Sequence, residues 1–129
     1  MMNRLTSKAA VALLGLASFV GPAGAADVDL TAGVLRYGVG TDPTANILTV
    51  SLTGGTYTIA DPAEIALTLG TGALAAGCVA VDVSTVTCPA AAVTSFDLST
   101  RLGADTIDLT SAVHPAIVTA GDGADTIVG

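Results

Sequence analysis

The pentapeptide Gly-Ala-Asp-Thr-Ile occurs twice in this chain of 129 residues, at 103–107 and at 123–127, so Asp105 and Asp125 lie 20 apart. A repeat at a fixed offset constrains the fold strongly, because matching residues then take matching places in successive turns of the chain. Glycine permits the left-handed backbone that reverses a chain sharply. Asp supplies a hard anionic oxygen, and the Ile two positions on anchors a short strand in a core. The surrounding composition favours strands: beyond residue 26 the chain is rich in Val, Ile, Thr and Gly, lacks Lys and Gln, and has no long apolar run at helical spacing. An all-β fold is expected.

Local units agree. Residues 47–53 and 56–60 flank Gly54-Gly55, a two-residue link whose positive-φ freedom suits a primed hairpin turn. Residues 33–40 form a further strand, followed by a Thr-Asp-Pro-Thr turn at 41–44. Residues 62–72 read either as a strand or as a single helical turn. An apolar-Asp-apolar-hydroxyl tetrad begins at Val28, Val81, Phe96 and Ile107. Its alternation is that of a half-buried strand with a polar outer face.

The first 25 residues have the three parts of a secretory signal: Arg4 and Lys8, an apolar run at 9–20, and Ala23-Gly24-Ala25 as a cleavage site. The apolar run is well short of the roughly 20 residues that a spanning helix needs. The mature protein is therefore expected to be secreted, with no transmembrane span. Its eleven acidic residues face only Arg36 and Arg101, a net charge of −9. Such a surface repels nucleic acid and favours cations. Cys78 and Cys88 are the two cysteines, and in an exported chain they read as one disulfide clipping a hairpin that turns at Ser84-Thr85. The expected organisation is a cleaved signal at 1–25, a β-rich module with the disulfide hairpin at 26–92, and repeat turns at 93–129.

The residues 120–128, Ala-Gly-Asp-Gly-Ala-Asp-Thr-Ile-Val, resemble the glycine-rich nonapeptide of the RTX, or haemolysin-type calcium-binding, repeat family, whose pattern is G-G-x-G-x-D-x-U-x. Gly121, Gly123, Asp125 and Ile127 match. In the copy at 100–108, Gly103, Asp105 and Ile107 match, while Thr100 and Arg101 replace the leading glycines. The resemblance covers about the last quarter of the chain. It implies a right-handed parallel β-roll or β-helix, entered from the N-terminal module, with one calcium site between adjacent turns. Asp105 and Asp125 would be carboxylate ligands, Gly103, Gly121 and Gly123 would supply backbone geometry or carbonyls, and Asp122 would be a further ligand or a solvated acid. Calcium takes six to eight oxygens, more than one such turn supplies. The interval around His114-Pro115 has no glycine and is expected to be an ion-free edge, with His114 a surface turn residue. An uncapped last turn also leaves a strand edge free to pair with a partner. The alternative is a metal-free structural or adhesive cell-surface β-solenoid module.

Two other signals carry less. Residues 70–75 spell the G-x-G-x-x-A of a dinucleotide loop, but the alternating strand that follows leaves no room for the helix this motif requires, so the stretch reads as a glycine-rich turn. With one His, two cationic residues and no nucleophile or zinc motif, the expected mature chain is poorly supplied for catalysis, and a non-enzyme is expected.

Overall fold

The computed structural model describes residues 25–39, 44–64 and 66–129. The expected signal segment, apart from Ala25, and most of the turn at 41–44 lie outside the described residues. The elements are β1 (Ala25–Thr31), β2 (Val34–Val39), β3 (Ile47–Thr53), β4 (Thr56–Ala60), β5 (Ala66–Leu69), α1 (Thr71–Ala76), β6 (Val79–Asp82), β7 (Thr85–Pro89), β8 (Ser95–Ser99), β9 (Thr106–Asp108), β10 (Ala116–Thr119) and β11 (Thr126–Val128). The fold is mostly β, as its composition demands.

Among the described residues the strands form two mixed sheets and no closed solenoid. One sheet runs β11-β9-β3-β4-β7-β6, the other β10-β8-β2-β1-β5. Tight turns build the antiparallel part. Gly54 and Gly55 both have positive φ (57° and 79°), and they reverse the chain between β3 and β4. Ala32 and Gly33 (52° and 81°) do the same between β1 and β2, a turn that the sequence disguises with an alanine.

The parallel part is built differently. β8 lies parallel to β2 and β10 parallel to β8, while in the opposite sheet β9 lies parallel to β3 and β11 parallel to β9. The chain therefore lays down three successive layers, each with one strand per sheet: β2 with β3, β8 with β9, and β10 with β11. Between the second and third layers the register is 20 residues in both sheets, Phe96 pairing with Ala116 and Ile107 with Ile127. Both sheets draw strands from either side of residue 92.

Alternation places the core between the sheets. Val28, Leu35, Tyr37, Phe96 and Leu98 come from one sheet, and Leu48, Val50, Tyr57, Ile59, Val86 and Ile107 from the other, all at 1% exposure or less. Tyr57 meets Phe96 edge to face, with ring centroids 4.9 Å apart. Such a pair adds about 0.5–1.5 kcal/mol beyond area burial.

Three expectations need correction. The stretch at 70–75 is not merely a turn, because Thr71–Ala76 form a helix of 6 residues closed by Gly77 at φ 95°. It fits because it is short and packs tightly on β1: a Cβ on Gly70 would lie 2.5 Å from the Asp29 side chain, and one on Gly72 2.5 Å from the Leu30 carbonyl oxygen. The side chain of Asp29 accepts the Ala73 N–H at 2.9 Å, capping the helix from a neighbouring strand. The tetrad at Val81 is not half-buried, since Val81 and Val83 are 60% and 65% exposed on an outer edge. Finally, the hairpin between Cys78 and Cys88 turns at Val83-Ser84, one residue earlier than expected. The disulfide itself is formed and ties the segment preceding β6 to half-buried β7.

Candidate functional site

The two copies of Gly-Ala-Asp-Thr-Ile stack directly on one another. Each supplies a turn followed by a strand, so Asp105 and Asp125 stand at the entrance to β9 and β11. The Asp105 N–H donates to Asp125 Oδ1 at 2.9 Å. One layer earlier the same bond recurs, the Asn46 N–H donating to Asp105 Oδ1 at 2.8 Å. Asn46, Asp105 and Asp125 thus form a ladder in which the Asp side chain of each later layer takes the backbone donor of the layer before. Backbone bonds run beside it, from the Thr106 N–H to the Asn46 carbonyl and from the Thr126 N–H to the Asp105 carbonyl, at 2.9 and 2.8 Å. A charge-assisted bond to a buried N–H is among the stronger interactions available to a turn.

The glycines are explained by the same stacking. Gly121 and Gly123 have φ of 79° and 131°. A Cβ on Gly121 would lie 1.8 Å from the Arg101 carbonyl oxygen, and one on Gly123 1.9 Å from that of Gly103. The third layer sits so close to the second that no side chain fits there. Gly103 has φ 107°, and Arg101 itself adopts φ 68°, so the degenerate copy keeps the left-handed bend at 101 without its glycine. Asp122 lies on the exposed outer part of the turn, its N–H donating to the Arg101 carbonyl at 2.9 Å. A depression of about 350 Å³ opens there between Ser99, Arg101, Leu102, Thr119, Gly121 and Asp122.

Of the expected ligand residues, the structure brings Asp105 and Asp125 into contact and stacks Gly121 and Gly123 on the backbone of the preceding turn. It leaves Asp122 outside that contact. Among the described residues, no group of three or more His, Cys, Asp or Glu side chains is placed to hold a metal ion. One oxygen of each stacked Asp is engaged by a backbone N–H, whereas Asp105 Oδ2 is buried with no hydrogen-bond partner among the described residues.

Sequence reasoning missed the first rung of the ladder. Asn46 lies within Thr-Ala-Asn-Ile-Leu, residues 44–48, and the register places Ile47 on Thr106 and Leu48 on Ile107. The signal was present as an Ala-Asx pair ahead of an apolar strand, without a glycine to mark it. Asn rather than Asp stands there because the site is already acidic. Asn46 Nδ2 contacts Tyr37 Oη at 3.3 Å and Asp61 Oδ2 at 3.0 Å, and it also donates to Glu64 Oε1. Asp61 is fully buried, accepting Tyr37 Oη–H at 2.6 Å on one oxygen and the N–H groups of Ile47 and Ala63, both at 3.0 Å, on the other. Burial, with the Asp61 carboxylate beside it, pushes the Tyr37 phenol far above its ordinary range, so it remains a donor. An amide supplies the donor that a third carboxylate could not.

The opposite edge also differs from expectation. His114 is half-buried, with Nδ1 2.6 Å from Tyr57 Oη and its ring packed on Tyr57 and Phe96. Tyr57 Oη accepts the Val113 N–H at 3.3 Å, so the phenol and the imidazole together secure the crossing from β9 to β10. It is a packing residue there, not a surface one.

No family model, curated protein or solved structure matches this chain. Among the described residues, no helix is long and apolar enough to cross a membrane.

Proposed function

We propose that the chain is a secreted structural module in which an antiparallel cap starts a stack of turns, and that the three layers are the opening turns of a parallel β-roll of the RTX type. The observation that carries this reading is the Asn46-Asp105-Asp125 ladder, since it gives the repeated acid a stacking role that needs no other component. Two features support it: the equal 20-residue register in both sheets, and glycines placed where the turns touch. The module is a scaffold without catalysis. Its export is supported by the N-terminal sequence and by the disulfide.

Calcium is the second reading, favoured by one observation, the buried Asp105 Oδ2 that lacks a partner among the described residues. The ion would draw on Asp105 and Asp125, with Asp122 and the carbonyls of Gly103, Gly121 and Gly123 completing its oxygen set. It would neutralise the stacked acids and fasten the second turn to the third.

Thermal unfolding in millimolar calcium and in chelator separates the two readings. The scaffold reading expects the same midpoint in both, with the ladder intact in chelator. A rise in midpoint with calcium that disappears in Asp105→Asn would establish the ion.

A further inference from the structure

Three acids lie buried where the cap meets the stack. Asp61, Glu64 and Asp105 are each 3% exposed or less, and all three touch Asn46. Carboxylates buried together are costly unless donors or positive charge meet them. Asp61 is met, because each of its oxygens accepts two donors: the Ile47 and Ala63 N–H groups on Oδ1, and Tyr37 Oη–H and Asn46 Nδ2 on Oδ2. Asp105 is not. Its Oδ1 accepts one N–H, while its Oδ2 is buried with no partner among the described residues. The two described arginines stand elsewhere, Arg36 beside Asp97 and Arg101 in an exposed turn.

A second oxygen is stranded with it. Asn46 Oδ1 is also buried without a partner among the described residues. The orientation of this amide is fixed by its surroundings, since Nδ2 faces carboxylate oxygens of both Asp61 and Glu64, and turning it over would set oxygen against oxygen. Two hard oxygens, one amide and one carboxylate, thus belong to groups that meet at Asn46.

We propose that this cluster binds one hard divalent cation through Asp105 Oδ2 and Asn46 Oδ1, with the Glu64 carboxylate adding charge beside it. The proposal rests on the ion reading above and moves the ion one layer back, out of the repeat turns and into the cap. The direction of the ladder requires the move. The Asp105 carboxylate reaches back to the Asn46 N–H, whereas Asp125 meets Asp105 at its backbone, so the stranded oxygen lies on the cap side. Amide and carboxylate oxygens suit calcium and magnesium and serve softer metals poorly. Only two of these groups are acids, in keeping with the lack of any metal-binding group of three among the described residues. Asp61, already saturated with donors, is a positioning residue that holds the Asn46 amide.

The test titrates the whole chain with calcium chloride and, separately, with magnesium chloride, followed by calorimetry and amide NMR. At least one of the two ions is expected to bind once per chain, shifting the amides of Asn46 and Glu64 and leaving those of Gly121 and Gly123 in place. Glu64→Gln and Asp105→Asn each keep an oxygen for the Asn46 donor they serve. Each is expected to weaken binding about tenfold or more, whereas Asp125→Asn should bind within about twofold of the wild type. Shifts centred on Gly121 and Gly123, or binding lost in Asp125→Asn and kept in Glu64→Gln, would overturn the proposal while the ion reading stands. Binding of neither ion would overturn both. Because the shifts are mapped on the wild type, they decide the matter even where a variant fails to fold.

Discussion

Gly121 and Gly54 have similar backbone angles, φ 79° and 57°, yet they respond to different constraints. A methyl group at Gly54 meets nothing within 4 Å, so Gly54→Ala faces only the strain of left-handed backbone, about 1 kcal/mol. At Gly121 the methyl group would run into the Arg101 carbonyl, and the third layer must lift off to admit it. Chemical denaturation should show Gly54→Ala with a modest loss, whereas Gly121→Ala should strip exchange protection from 116–128 and leave β1–β7 protected. A second test at this scale concerns Asp27, whose carboxyl is pushed above its ordinary range by burial and by the neighbouring Asp29. A raised carboxyl pKa means that the folded state favours the proton, so its contribution is greatest in acid and is lost as pH rises through the folded value. Asp27→Asn should thus melt higher than the wild type at pH 7, with the difference vanishing below about pH 4. At this scale the sequence was legible where a residue type has one physical use, as with Gly54-Gly55. It was illegible where two uses share a spelling. Asp82 and Asp108 sit in the same tetrad as Asp29 and Asp97, yet they accept bonds from Ser84 and Thr110 and close turns.

Among elements, what could be read depended on whether partners lie near in sequence. The β3-β4 hairpin is local, and its turn and strand limits follow from Gly54-Gly55 and the alternation on either side. Helix α1 follows from nothing local, being too short for periodicity and capped by Asp29, 44 residues away. The β6 strand misled for the same reason, because alternation implies a buried face only when a second sheet stands opposite, and all of its residues are exposed. Its attachment is the antiparallel ladder to β7 and the bond between Cys78 and Cys88. Replacing both cysteines with Ala should lower stability by about 2–3 kcal/mol by loop-closure entropy. Exchange should rise first in β6, while the Ile107 region keeps its protection. At the other end of the stack, Ile107→Ala should cost about 2–5 kcal/mol, because Ile107 is fully buried between two layers. Ile127→Ala, half-exposed, should cost clearly less, and urea titration of the two variants gives the comparison.

For the whole molecule, the repeat at 103–107 and 123–127 announced stacking at 20 residues, and both sheets keep that interval between the second and third layers. Between the first and second layers the interval is broken by β4 to β7, so the first layer had no sequence period to betray it. Asn46 was hidden further by its amide, selected by the buried Asp61 and Glu64 around it. The candidate site was therefore half legible: Asp105, Asp125 and the glycines were found, and the rung connecting them to the cap was not. The ladder makes a directional claim. Each Asp side chain serves the layer before it, so a substitution should release the amide one layer back and no other. The deciding measurement is amide exchange in Asp125→Ala. The ladder predicts that the Asp105 N–H exchanges about tenfold or more faster, as befits loss of a bond to a charged group, while the Asn46 N–H, held by Asp105, stays slow. An Asp105 N–H that remains as protected as in the wild type would contradict the account.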